Sequence, residues 1–583
     1  MISDILSGPT GTIRAGRGSG LRAKSWRTEG LLRLFENTLE VAQNPAELVV
    51  CGSAGRAARS WQDARVIAQT LLELPTDQTL ILQSGAPAGV IPTSPEAPRV
   101  LSAVNNTVGA WSGADRFAAR AAAGQTIDGG LTAAAWQYIG RQGALQSNYE
   151  LLRIVLEQHF WNGGAGRWLL TAGLGAAGSS QPIAARLAGL SSLTVEVDQA
   201  KIDQYAAGGQ LTAQVPSLEV ALAELAKAET AGKVVALALC GNAAEVFPQV
   251  AAQGVLPDIV SDQTAAHDAR HGYVPAGYDL ATWHTAREHD PEGIEAAALA
   301  SITQQVRAIC DLQDAGAVAF ENGNHLRLQA LRAADPSLAE RISRLPGFAE
   351  RYLRPLLARG IGPFRWIALS GDPYDLRVLD DLAAGLFPGR PEVAQWIKLA
   401  RAGVPTQGLP ARSCWLGHGE RSMFATEVNR LVAAGKLRSP VAFSRGHLDA
   451  ASLTHPMSGT ENLRDGSAGA TDWPLLDALA LAACGADLVA VHAGGGDHSG
   501  WLQSTGVTIV ADGVPATTDR LQRALDADTG LGVLRYAAAG HPEAIAAADR
   551  GGELGTAPLG RPGGSPGPAG LHVLPGLPGP GLG

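Results

Sequence analysis

From about residue 143 the chain alternates short apolar runs with longer amphipathic stretches. RWLLTAGLG (167–175) predicts a strand running into a glycine turn, and SSQPIAARLAGL (179–190) predicts a helix. LTVEVD (193–198) predicts a second strand, and 215–233, VPSLEVALAELAKAETAGK, an amphipathic helix. VVALALCG (234–241) and DIVSDQ (258–263) predict two more strands. Apolar strands alternating with helices of this length imply right-handed βαβ units and a parallel sheet. Before that region the pattern predicts a helix over 29–42 and a strand, glycine turn and helix over 47–61. Further strands are expected within 78–91 and 99–106. After about Leu345 loops are expected to dominate: 360–375, 406–421 and 444–456 are long and rich in Gly, Arg and His. Long loops of that composition more often carry a site than mere connection. The stretch 475–491 is strongly apolar but contains Asp477 and Asp487, so a buried helix leading into a strand is expected.

Composition narrows the function classes. A length of 583 residues exceeds one ordinary core. We divide it into 1–140, 141–345, 346–550 and a Gly/Pro-rich tail, 551–583, expected to be disordered. The net charge of −9 gives no reason to expect a nucleic-acid partner. The 5 cysteines are odd in number and form no CxxC, which argues against a zinc site or a disulfide framework. No metal is expected. A reducing cytoplasm suits such cysteines, and neither a secretory h-region nor a membrane span is visible.

Gly173-Leu174-Gly175-Ala176-Ala177-Gly178 is a GxGxxG that follows a strand and opens a helix. Its glycines would permit a tight turn, close approach to a pyrophosphate, and close strand–helix packing. Glu196, near the end of the next strand, is placed to bond a ribose 2′-hydroxyl, which favours NAD over NADP. Lys201 slightly weakens that preference.

Several longer stretches carry a resemblance. They are QSNYE (146–150), the glycine fingerprint with its helix, ALCGNAAEVFPQV (238–250), SDQTAAHD (261–268) and GYVPAG (272–277). With them go GIGPFRWIALSG, QGLPARSCWLGHGER, HLD (447–449), RDG (464–466) and TDWPLLDAL (471–479). Over about 47–545 the chain resembles the urocanase (urocanate hydratase) family. The resemblance implies an α/β fold in which a Rossmann-like NAD-binding domain is inserted into a core domain formed by both chain ends. It also implies a homodimer and a hydratase using tightly bound NAD without net redox, with a small imidazole acrylate as substrate.

Matched by motif position, cofactor contacts fall on Gly52, Ser53, Ala176, Ala177, Gly178, Glu196, Lys201, Asn242 and Ala243. Others fall on Gln263, Thr264, Ala265, Ala266, His267, Tyr273, Val274, Asn322 and Gly496. Arg365 matches the arginine that grips the substrate carboxylate, a task suited to a planar guanidinium fork. Thr132 could help hold the same carboxylate. Cys414 matches the family's active-site cysteine, expected near the cofactor. His447 and Asp449 form an imidazole–carboxylate pair that could relay protons. His492 and His498 flank a glycine run expected to lie against the cofactor.

The departures concern the substrate. Cys51 stands where the family usually has tyrosine, and Gly446 where it has aspartate. Both changes remove volume and a hydrogen-bonding group. A site built to bind ring N–H groups rejects analogues lacking them, so deleting such groups suits a substituted ring. An N-methyl-, thio- or S-methylthio-urocanate, of the kind met in methylhistidine or ergothioneine breakdown, is the expected substrate. Ordinary urocanate hydratase of histidine degradation is the alternative. An NAD-dependent dehydrogenase, which would release NADH, or a catalytically dead NAD-binding relative are readings from other classes.

Overall fold

The computed structural model describes residues 3–9, 11–52, 54–175, 177–455 and 463–549. Ser53, Ala176 and the tail 551–583 therefore lie outside the described residues. The chain divides into two compact units, one of Met1–Gly143, Arg354–Pro456 and Thr460–Gly583, the other chiefly Ala144–Leu353.

Strands are numbered along the chain: β1 (Val49–Cys51), β2 (Gly55–Arg56), β3 (Gln78–Gln83), β4 (Ala86–Pro92) and β5 (Val100–Val104) in the first unit. The second unit holds β6 (Trp168–Ala172), β7 (Ser191–Glu196), β8 (Ala213–Val215), β9 (Ala236–Cys240), β10 (Ile259–Val260) and β11 (Val318–Ala319). The first unit resumes with β12 (Gly362–Ala368), β13 (Ala411–Leu416), β14 (Val441–Arg445), β15 (Leu453–Thr454), β16 (Leu488–Ala493) and β17 (Gln503–Ala511).

The second unit is a sheet in the order β11-β10-β6-β7-β9-β8. All of its pairings are parallel. Its strands are buried along almost their whole length, as the apolar runs require when helices cover both faces. The helix Leu218–Thr230 starts where the Ser217 hydroxyl accepts the Val220 N–H, and it packs Leu218, Ala221 and Leu225 into the core.

In the first unit a nine-stranded sheet runs β13-β12-β14-β17-β16-β5-β3-β4, with β15 added beside β17. The parallel pairing of β16 with β5 joins the part of the chain before the second unit to the part after it. One face carries Ile367, Ala411, Ala442, Leu488, Ala490 and Val510, which pack with Leu31, Leu34, Phe35 and Leu39. Those last four belong to the helix Trp26–Glu40, capped by Ser25.

The expectation that loops dominate after Leu345 is corrected here. The stretches 360–375, 406–421 and 444–456 contain β12, β13 and part of β14, which form one end of this sheet with β13 at its edge. Every residue of β12, β13 and β14 is buried. A strand covered on both faces shows no in–out alternation, and its polar residues, such as Arg365 and Arg445, masked the apolar run. The stretch 475–491 does contain a helix, Asp472–Ala483, followed by β16. Among the described residues no helix is long and apolar enough to cross a membrane.

Candidate active site

In the second unit the parallel strands end on one rim, and many of the cofactor residues expected in this unit follow those ends. β6 lies between β7 and β10, so the sheet order reverses direction at β6. In open parallel sheets the crevice at the carboxyl ends beside such a switch receives the ligand. β6 leads into Gly173, at φ +87°, where a Cβ would strike the Gln263 carbonyl. A Cβ on Gly178 would strike the Gly173 carbonyl. These two glycines let the turn, its helix and the loop after β10 close on one another. Gly175 differs: a Cβ there would meet nothing within 4 Å.

The Glu196 carboxylate braces this turn, accepting the Leu174 N–H at 2.5 Å and the Asp198 N–H at 3.0 Å. A carboxylate accepts about four hydrogen bonds, so capacity remains for a diol. Lys201 Nζ stands 3.8 Å from Glu196 and 3.9 Å from Asp198. Gln263 donates from Nε2 to the Asn322 carbonyl at 2.5 Å. Asn322 donates to Asn148 at 3.1 Å, and Asn148 to the Ser180 hydroxyl at 2.7 Å. Thr264, Ala265 and His267 are half-buried, and Ala266 is buried. Asp262 receives bonds from Thr264, Gln305 and Asn324, yet burial pushes its carboxyl up to about 6.

Other expected contacts are structurally committed. Asn242 caps the helix Ala243–Ala252 by accepting the Ala244 N–H and donates to the Val274 carbonyl, both at 2.9 Å. Ala243 and Val274 are themselves buried. The Tyr273 hydroxyl donates to Gln305 at 2.8 Å inside the core. The open space at Gly175, the exposed Ala177 and the buried, unpartnered Ser179 hydroxyl beside them fit a bound dinucleotide.

In the first unit, strand pleating sorts the polar residues onto two faces, because neighbours along a strand point oppositely. Arg365 on β12 is opposite Ser413 and Ser444. It lies on the face that carries Ile367, Ala411 and Ala442, beyond the end of their apolar cluster. Its Nη1 donates to the Gln137 carbonyl at 2.6 Å, and its Nε has no partner. No ion pair involves Arg365 among the described residues. By contrast Arg412, Arg421, Arg445 and Arg520, all equally buried, each hold an aspartate. Burial lowers the Arg365 guanidinium to about 10.

Three expected substrate residues converge on Arg365. Cys51 is hydrogen-bonded to Thr132, feels the Arg365 charge, and is pushed up to about 11, chiefly by burial. Its Sγ also lies 3.9 Å from the Gly130 carbonyl. A Cβ on Gly446 would sit 3.5 Å from Arg365 Nη2, with Pro363 Cγ at 3.1 Å. Gly446 thus lies against the guanidinium, and Cys51 is close enough to feel its charge. Gly52 and Gly496, both at positive φ, present open space to an added Cβ.

His447 is buried, and neither ring nitrogen has a partner. Burial, then the neighbouring His492, Arg445 and Arg365, hold its conjugate acid well below the usual range, so it is neutral at neutral pH. The proposed His447–Asp449 relay is corrected. Asp449 accepts the Ala450 N–H at 2.8 Å and pairs with Arg421 at 2.7 Å, and it leaves His447 unbonded. The Arg421–Asp528–Arg445–Asp477 ion-pair chain draws the carboxylate to the other side of the sheet. Cys414 is buried on β13. It lies opposite Phe364 in register, so it shares Phe364's face and not that of Arg365. His498 is 3.4 Å from His455.

Three family descriptions match the chain in order. The urocanase N-terminal domain covers 13–137, the urocanase Rossmann-like domain 140–352, and the urocanase C-terminal domain 355–550.

The chain belongs to the urocanase family.

Family membership makes it a hydro-lyase of the urocanate hydratase type, and the Rossmann-like domain is consistent with a nucleotide cofactor. Sequence reasoning missed Gln137 and Gly506. Gln137 anchors Arg365 and donates to the Val507 carbonyl at 2.7 Å. A Cβ on Gly506 would sit 2.8 Å from His447 Nε2. Neither belongs to a recognisable motif, because their roles come from pairing across the sheet.

Proposed function

We propose that this chain is a hydratase of a ring-substituted urocanate, acting with tightly bound NAD and giving an imidazolonepropionate-type product. The observation that carries the reading is Arg365, a buried guanidinium with no acidic partner among the described residues, with Gly446 beside it and Cys51 within reach of its charge in place of larger polar groups. A buried, unpaired cation is costly, and a substrate carboxylate would relieve that cost through two charge-assisted hydrogen bonds. Gln137 fixes the fork by accepting from Nη1. Thr132, beside Cys51, offers a hydroxyl to the same end of the substrate.

NAD would be held by the Gly173–Gly178 turn, Glu196 and the Gln263–His267 loop, and when bound it supplies an electrophilic nicotinamide without net redox. The protein's task is then orientation, proton transfer and exclusion of stray water. His447, neutral and buried, can accept or return a proton without carrying a resident charge. Cys51 stays a neutral thiol over the physiological range, so it offers room and polarisability in place of a nucleophile. The absence of a side chain at 446 removes a polar group from beside Arg365. The working form is taken as a cytoplasmic homodimer, as the family resemblance implies.

The test is a substrate panel of purified enzyme with urocanate and its N-methyl, thio and S-methylthio derivatives. It is followed by loss of the acrylate absorbance. A substituted ring should turn over fastest; much faster turnover of plain urocanate would return the chain to ordinary histidine breakdown.

A further inference from the structure

His492, on β16, is fully buried, and both of its ring nitrogens lack a partner. Its ring meets that of His447 edge to face, with centroids 5.4 Å apart and planes at 70°. Two glycines make room for the pair. A Cβ on Gly129 would sit 2.6 Å from His492 Nδ1, and one on Gly506 would sit 2.8 Å from His447 Nε2. The same position at 506 is 3.1 Å from Gln137 Oε1, which also has no partner. Register places His492 opposite Ser504, two residues from Gly506, on the face that carries Arg365. Arg365 Nε, Gln137 Oε1 and four imidazole nitrogens are therefore six unpartnered polar atoms on one side of one sheet.

Buried polar groups are almost always hydrogen-bonded, so a cluster of six marks a place built to bind something polar. Charge divides the cluster. The guanidinium end suits a carboxylate. The imidazole end is neutral and offers one donor and one acceptor per ring, in either tautomer. That pattern complements a neutral planar heterocycle whose nitrogens also include donors and acceptors.

We propose that His492, paired with His447, reads the ring nitrogens of the substrate, taking over a task that Cys51 and Gly446 no longer perform. The inference rests on the hydratase reading above and names the residues that set its ring specificity. Two tautomeric imidazoles adapt to a ring in which substitution has exchanged one N–H for a bare nitrogen or an alkylated one. A fixed carboxylate, which only accepts, could not.

The experiment compares imidazolepropionate with phenylpropionate, which share the carboxylate chain and differ in ring nitrogens, by titration calorimetry on the full protein. One lost neutral hydrogen bond is worth roughly threefold to tenfold in affinity. The wild-type protein should prefer imidazolepropionate. His492→Phe, which keeps a ring of similar size, should lower that preference roughly threefold to tenfold and leave phenylpropionate affinity unchanged. His492→Asn, with one donor and one acceptor, should recover part of it. A folded His492→Phe that keeps the wild-type preference overturns the proposal and leaves the hydratase reading standing. A wild-type protein that binds neither compound overturns both. Should the variants not fold, nitrogen-15 spectra of histidine-labelled wild-type protein decide. The His447 and His492 signals should shift with imidazolepropionate only, and equal shifts with both ligands contradict the assignment.

Discussion

At Arg365 a full positive charge is held in the protein interior by one carbonyl bond. Arg365→Gln should keep the fold, because Gln137 has other anchors in Val507 and Thr508. Losing one partner of a desolvated charge pair costs about 2–5 kcal/mol, so kcat/KM should fall between roughly thirtyfold and several thousandfold. Steady-state kinetics on the best acrylate substrate checks this. The double variant Cys51→Tyr/Gly446→Asp should restore family-like groups on both sides of the guanidinium. The ratio of kcat/KM for urocanate over the substituted substrate should then rise at least about tenfold, the scale of a regained buried hydrogen bond with its steric complement. An unchanged ratio would show that ring choice is set elsewhere. The sequence made Arg365, Cys51, Thr132 and Gly446 visible because each stands at a motif position. It misjudged the partner of Asp449, since proximity in sequence to His447 does not tell which side of the sheet the carboxylate takes. Asp449 pairs with Arg421.

Among the elements, the turn after β6 is the most exacting. Gly178→Ala would push a methyl into the Gly173 carbonyl and should lower both the melting temperature and the nucleotide content. Gly175→Ala meets open space, so it should melt as the wild type does. If a pyrophosphate lies against this backbone, the same change should still reduce the NAD recovered per subunit, measured by chromatography of the denatured protein. Full NAD occupancy in Gly175→Ala would place the phosphates elsewhere. The βαβ rhythm from 167 to 263 was legible because β6, β7, β9 and β10 centre on apolar runs ended by glycine or a polar cluster; the three-residue edge strand β8 carried no such run and was not expected. The strands β12, β13 and β14 were not, since arginines and serines interrupt them and the residues they pair with are distant in sequence. Arg365 and Ser444 are neighbours only through the sheet register.

Across the whole molecule, the first unit draws its sheet from both ends of the chain. β5 and β16 pair in parallel although nearly the whole second unit lies between them in sequence. The sequence placed the joins near 140 and 345; the structure divides at Gly143 and Arg354. That arrangement gives the site an origin no local motif reveals. Cys51 and Thr132 come from the first segment, Arg365, Gly446, His447 and His492 from the last. The central claim is that these residues select a substituted ring for hydration without net redox. An equimolar mixture of urocanate and its S-methylthio, thio and N-methyl derivatives, given to one enzyme sample, tests it directly. Mass spectrometry follows each product, and absorbance monitors any NADH. A substituted acrylate should gain one water first, with no NADH formed. Preferential consumption of plain urocanate, or NADH rising with product, would contradict the account.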